Sequence, residues 1–108
     1  MQQNNKTQSE LKTGTIHKYF DRNILTLTMS NATKKNAINY EMYAALSQAL
    51  DQAATNQDIH VVVLTGEDSV FTSGNDVNAF EKRDTTSSEP PASIVFLKSL
   101  ATFPKPII

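Results

Sequence analysis

One stretch constrains the fold of this chain more than any other: Ile59-His60-Val61-Val62-Val63-Leu64-Thr65, an almost unbroken β-branched run closed by Gly66. A strand without polar–apolar alternation is expected to be buried on both faces, as in a parallel sheet covered by helices. Such a strand needs a helix and a parallel partner, and both are legible upstream. Asn39 precedes a segment in which Met42, Leu46, Ala49, Leu50 and Ala53 recur at helical spacing, with Glu41 in the first turn where the helix dipole favours a carboxylate. The spacing predicts a helix over Tyr40–Thr55, rich enough in alanine to approach a sheet closely, with Asn56 as a left-handed terminator. Further upstream, Thr15–Phe20 and Ile24–Met29 are short and β-branched and read as a hairpin at a sheet edge, turning through Asp21-Arg22-Asn23. Leu25, Leu27 and Met29 share its buried face, and Ile24, Thr26 and Thr28 a half-wet one. Strand, helix and strand then make a βαβ-like crossover of right-handed sense, and the fold class is α/β.

The flanks carry less. Met1 to Thr13 has only methionine and Leu11 as apolar residues and reads as a flexible polar tail, residues 1–13, ahead of a domain over 14–108. Asp84 to Glu89, followed by Pro90-Pro91, reads as a polar flap. Pro91 suits the first turn of a second helix with an apolar stripe of Ile94, Leu97, Leu100 and Ala101, stopped by Phe103-Pro104. Pro106-Ile107-Ile108 begins what reads as a buried strand with no turn or polar exit behind it. The expectation is a domain cut within that strand.

Composition removes several function classes. A formal net charge of −1 supplies no field for nucleic acid. With no cysteine, and with His17 and His60 isolated, no metal motif is present. No apolar run approaches the roughly 20 residues of a membrane span, and the polar start lacks the order of a secretory signal, so a cytoplasmic protein is the default expectation.

The candidate chemistry lies directly after the apolar strand, in Gly66-Glu67-Asp68-Ser69-Val70-Phe71-Thr72-Ser73-Gly74-Asn75-Asp76-Val77. Ligands of parallel sheets bind beyond the carboxyl ends of the strands, and Gly74 permits a backbone that points the Asn75 N–H at an anion. Asp76 suits capping of a short turn over Val77–Phe80. A P-loop and a dinucleotide fingerprint both fail here, and Ser73 does not form a Gly-x-Ser-x-Gly elbow. Glu67 and Asp68, adjacent on a loop, read as two water-facing carboxylates rather than an acid/base pair. Phe80, Phe96 and Phe103 suit core or acyl-pocket lining equally.

Lys34-Lys35-Asn36-Ala37-Ile38-Asn39, Val61–Gly66, Phe71-Thr72-Ser73-Gly74-Asn75-Asp76 and Phe103-Pro104-Lys105-Pro106-Ile107-Ile108 stand in the order in which similar blocks occur in the enoyl-CoA hydratase/isomerase (crotonase) family. The run Asn36–Tyr43 together with Ser73–Asp76 resembles its Δ3,Δ2-enoyl-CoA isomerase branch most. The resemblance implies the amino-terminal half of a crotonase-like, ββα-repeat spiral fold. It implies an acyl-CoA-processing enzyme, an isomerase or hydratase (lyase) of fatty acid metabolism, that stabilises a thioester enolate in an oxyanion hole. On the matching positions it makes the Asn75 backbone N–H one of two donors to the thioester oxygen. Lys35, Asn36, Ala37, Ile38, Thr72, Ser73, Gly74, Asn75, Asp76 and Val77 become substrate contacts, with backbone around Ser73 receiving the CoA adenine.

No permanently bound cofactor and no metal is implied, CoA arriving as part of an acyl-CoA or enoyl-CoA thioester, and the full-length form would be a homotrimer or hexamer. The family's second oxyanion glycine and its catalytic carboxylate fall beyond Ile108, so the 108-residue chain is expected to be inactive by itself. Where the family usually has Asn-Arg-Pro, this chain reads Ser30-Asn31-Ala32. The alternative reading is a non-catalytic acyl-CoA-binding or interaction fragment.

Overall fold

The structure, a computed structural model, describes residues 14–76 and 89–108. The expected polar tail, Val77, the turn to Phe80 and the flap from Asp84 to Ser88 lie outside them. Strand β1 (Thr15–Asp21) pairs antiparallel with β2 (Ile24–Ser30), and β2 pairs parallel with β3 (Val61–Gly66). The sheet order is β1-β2-β3, so β1 alone of the hairpin is an edge. Arg22 and Asn23 both have positive φ, 53° and 67°, the geometry of a two-residue turn whose twist matches the strands it joins. Asp21 belongs to β1 rather than to the turn. Asn23 also ties the hairpin to β3, because its side chain donates to the Asp58 carbonyl at 2.8 Å and its own carbonyl accepts from His60 N at 2.8 Å.

Helix α1 (Tyr40–Thr55) makes the crossover from β2 to β3. Its start matches the sequence reading: the Asn39 side chain accepts a hydrogen bond from the Met42 N–H, and Glu41 lies in the first turn. The expected face, Met42, Leu46, Ala49, Leu50 and Ala53, is buried against Leu25, Leu27 and Met29 of β2 and Val62 of β3. At the other end the expectation fails. Asn56 is extended, with φ −85° and ψ 112°, and no left-handed cap forms. Lys105 replaces it, its ammonium donating to the carbonyls of Ala53, Asn56 and Ile59 at 2.7, 2.6 and 2.7 Å. A cation on these orphan carbonyls satisfies them and opposes the negative end of the helix dipole, so no left-handed residue is needed.

Burial of β3 on both faces is also corrected. Val62 is buried, whereas Val61 and Val63 to Gly66 are only partly so. The register explains this: Leu25 stands opposite Val62 and Leu27 opposite Leu64, which puts them on the α1 side, while Val61 and Val63 share a face with Ile24 and Thr26. Among the described residues no helix covers that second face.

Helix α2 (Ala92–Ala101) follows Pro91, which is its cap rather than part of its first turn. Its buried stripe is not the one expected. Phe96 is the buried residue, with Ala92, Leu100 and Phe103 packed partly against the core, while Ile94 and Leu97 are 44% and 52% exposed. The spacing of 92, 96 and 100 is the i, i+4 ridge, and Phe96 sets its direction by resting on Tyr43 of α1 at 5.7 Å between ring centroids. Pro106–Ile108 runs parallel to β3: Val62 N donates to the Pro106 carbonyl at 3.1 Å, and Ile108 N to the Val62 carbonyl at 2.9 Å. Pairing is as expected, but Ile108 is 78% exposed rather than buried.

Candidate functional site: a seam of two loops

Because β2 and β3 are parallel neighbours, their carboxyl ends lie side by side, with Met29 opposite Gly66. The loops that leave them, 31–39 and 67–76, therefore start together, and they stay together along a polar seam. Ile38 and Asn75 form a parallel bridge, in which Ile38 N donates to the Gly74 carbonyl at 2.8 Å and Asp76 N to the Ile38 carbonyl at 3.0 Å. Ser73 adds two ties, N–H to the Lys35 carbonyl at 3.1 Å and Oγ to the Lys34 carbonyl at 2.9 Å.

Asn36 is the hub. It is 2% exposed and left-handed, φ 59°, like its neighbour Lys35 at φ 53°. Its Oδ1 accepts from Asn31 N at 2.9 Å, and its Nδ2 donates to the carbonyls of Glu67 and Val70 at 2.9 and 2.7 Å. Its carbonyl takes the Thr72 hydroxyl at 2.6 Å. The side-chain oxygen thus closes its own loop, and the side-chain nitrogen holds that loop against the other. Asn31, also buried, adds a bond from Nδ2 to the Ala37 carbonyl at 2.9 Å, so this loop is stiffened by amide groups where the family pattern carries Arg-Pro.

Gly66, which ends β3, and Gly74, within the 67–76 loop, act in different ways. A Cβ on Gly66 would overlap the carbonyl oxygens of Val70 and Phe71, because the loop folds back over it. Gly74 stands in open space, but its φ is +101°, a conformation that costs other residues about 1–3 kcal/mol. Its N–H donates to Thr72 Oγ1 at 3.1 Å and its carbonyl accepts from Ile38 N, so the peptide that carries the Asn75 N–H and the one before it are both held.

That N–H is outside the bridge. In a parallel pair the residue opposite the doubly bonded one turns its own N–H and C=O away, and here Ile38 is doubly bonded. Among the described residues nothing accepts from the Asn75 N–H, and Asn75 is exposed. The central sequence expectation, a small-residue bend that leaves a main-chain amide open, agrees with this geometry.

The other expected site residues divide clearly. Lys35, Thr72, Ser73, Gly74 and Asn75 line the seam's accessible side or its edge, whereas Ala37 and Ile38 are buried at 6% and 7%. Asp76 is buried too, with the Lys34 ammonium 3.4 Å from Oδ2. Glu67 is partly buried and accepts a hydrogen bond from the Ser30 hydroxyl, so only Asp68 of that pair faces water freely. His17 and His60 are exposed, and Phe80 lies outside the described residues. Among the described residues no cluster of metal-ligating side chains occurs and no helix is long and apolar enough to cross a membrane.

Two features escaped sequence reading. Gly66 closes a strand and gives no sign of the carbonyls above it. Tyr43, buried on α1, donates its hydroxyl to Asn75 Oδ1, and burial pushes the pKa of that hydroxyl above the ordinary tyrosine value of 10.0. A tyrosine beside Met42 on the buried face is a usable signal, because a buried phenol needs a partner. An open recess of about 410 Å³ at the far end of α1 is lined by Ala54, Thr55, Ile59 and Lys105 among others, but its amine is consumed by the three carbonyls of the helix end.

A paired-loop seam at the carboxyl ends of parallel strands is the arrangement that α/β proteins use for ligands. Residues 19–108 match the family model described as enoyl-CoA hydratase/isomerase, and the chain belongs to that family. It is 32% identical over 90 residues to mouse peroxisomal enoyl-CoA delta isomerase 3, covering 79% of this chain and 28% of that protein. With human enoyl-CoA delta isomerase 2 the identity is 36% over 91 residues, covering 79% of this chain and 23% of the relative. Among solved structures, an enoyl-CoA hydratase/isomerase from Pseudoalteromonas atlantica T6c superposes with a TM-score of 0.77 at 33% identity, over 86% of this chain and 36% of that one. The chain thus spans well under half the length of these relatives and has the amino-terminal part of the crotonase-like α/β fold.

Proposed function

We propose that the seam between residues 34–38 and 71–76 receives the thioester of an acyl-CoA, with the Asn75 N–H donating to its carbonyl oxygen. A fixed amide dipole aimed where negative charge develops lowers the energy of a thioester enolate without reorganisation, and one such donor is worth about 10²–10³ in turnover. The supporting observation is that the Ile38–Asn75 bridge employs both flanking peptides and leaves this amide unclaimed on an exposed residue. Lys35 and the main chain around Ser73 would flank the CoA, which enters as part of the substrate.

In a protein that also supplies a second donor and a carboxylate, the reaction would be enoyl-CoA isomerisation or hydration: proton transfer from C2 to C4, or activation of water. The 108-residue chain binds acyl-CoA without turning it over. Of the described carboxylates on the 67–76 loop, Asp76 is paired with Lys34 and Glu67 with Ser30, and Asp68 faces water. Calorimetric titration of the chain with butyryl-CoA tests this. Binding by the natural chain that Gly74→Val abolishes is the expected result, and equal affinity in both would count against the turn as a ligand site.

A further inference from the structure

The Ile38 bridge holds the main chain on both sides of Asn75, and the side chains of Thr72, Ser73 and Asp76 tie the bend to the 31–39 loop, whereas the Asn75 side chain turns to helix α1 instead. Gly74 has φ +101° with open space where a Cβ would stand, so among the described residues no side-chain packing supports the peptide that carries the Asn75 N–H, and its carbonyl rests on Ile38 N alone. Beside the bridge, one side-chain contact restrains Asn75. Tyr43 Oη donates to Asn75 Oδ1, and Tyr43 is part of the rigid α1 scaffold: it is 8% exposed, and its ring is tilted 47° onto Phe96 of α2.

From this we infer that Tyr43 is a positioning residue for the thioester site: by holding the Asn75 side chain against α1, its hydroxyl acts with the Ile38 bridge to fix the direction in which the Asn75 main-chain N–H points. The inference rests on the thioester reading given above and extends it to a residue that touches no substrate. Helix α1 is anchored at its start by Asn39 and at its end by Lys105, so the anchor for Asn75 is itself fixed. The hydroxyl is the only atom of Tyr43 that the role needs. The ring would serve the core equally well without it.

Tyr43→Phe separates these two roles, because it keeps the ring on Phe96 and removes the donor. Using the ¹⁵N-labelled 108-residue chain, the Asn75 and Gly74 amides are followed first without ligand and then in titration with butyryl-CoA. In the free variant both amides are expected to move and to exchange faster with solvent while those of Leu46 and Ala49 stay in place. The affinity for butyryl-CoA should fall about 3- to 10-fold, the size of effect expected from one hydrogen bond. An unmoved Asn75 amide, or an unchanged affinity, overturns the positioning role and leaves the thioester reading standing.

A natural-chain Asn75 amide that ignores millimolar butyryl-CoA overturns the thioester reading, and the use assigned to Tyr43 with it. Asn75→Ala provides a second route, since it removes the acceptor. Combined with Tyr43→Phe it should lose no more affinity than Asn75→Ala alone, and additive losses would show that the two side chains act separately, against the inference.

Discussion

The helix–sheet core and the loop seam share a boundary at Ile38 and Met42, yet they are held by different forces. In the core, Leu27, Met29, Leu46 and Val62 are at most 1% exposed and contribute through apolar burial, which is proportional to area and tolerant of shape. In the seam, Asn36, Thr72 and Ser73 hold main-chain groups of the opposite loop at 2.6 to 3.1 Å, and Asn31 holds the Ala37 carbonyl of its own loop at 2.9 Å. Such contacts are directional, and removing one partner leaves another buried and unsatisfied. The core therefore sets whether the chain folds, and the seam sets where the Asn75 amide points.

The largest expected effect is at Gly66, where the two regions meet. Gly66→Ala puts a methyl group onto two carbonyl oxygens that cannot retreat without opening the loop, and should cost about 3 kcal/mol or more. Chemical denaturation measures it; a loss under about 1 kcal/mol would mean that the loop does not fold back over this residue. Next come Leu46→Ala and Asn36→Ala, each expected to cost about 3 kcal/mol, the first through a cavity and the second through stranded carbonyls and the stranded Asn31 N–H.

Their difference lies in binding. At a temperature where both variants are folded, Leu46→Ala should retain affinity for butyryl-CoA and Asn36→Ala should lose it. Equal losses in calorimetry would erase the distinction between core and seam.

The smallest effect concerns alkaline pH. Burial raises the Tyr43 pKa above its unfolded value of 10.0, so the folded state holds this proton to higher pH than the unfolded one. The stabilisation is complete below pH 10, falls as pH rises through the folded value, and is constant beyond it. Melting temperatures measured upward from neutral pH should fall more steeply for the natural chain than for Tyr43→Phe, and parallel curves would contradict a protonated anchor.

The core was legible because its signals are local. The periodicity of Met42 to Ala53, the cap at Asn39 and the alternation of Leu25, Leu27 and Met29 lie within single elements. Where the reading failed, the cause was a partner distant in sequence. Asn56 is not left-handed because Lys105, 49 residues on, takes its carbonyl. Tyr43 meets Asn75 across 32 residues, and the amide of Asn36 serves carbonyls 31 and 34 residues away. The stripe of α2 was misplaced because Ile94 and Leu97 are as apolar as Phe96, and only the Tyr43 ring selects among them. Residue order alone still singled out the bend at Asn75, since Gly74 is the one glycine that follows Gly66 in that stretch.

Infrared difference spectroscopy of the butyryl-CoA thioester carbonyl reads the central claim directly, because a hydrogen bond to that oxygen weakens the C=O bond. Donation from Asn75 predicts a carbonyl band shifted to lower frequency on binding to the natural chain and an unshifted band with Gly74→Val. A bound thioester whose carbonyl absorbs as it does in water-free solvent would show that no amide reaches it, and the account of the seam would be wrong.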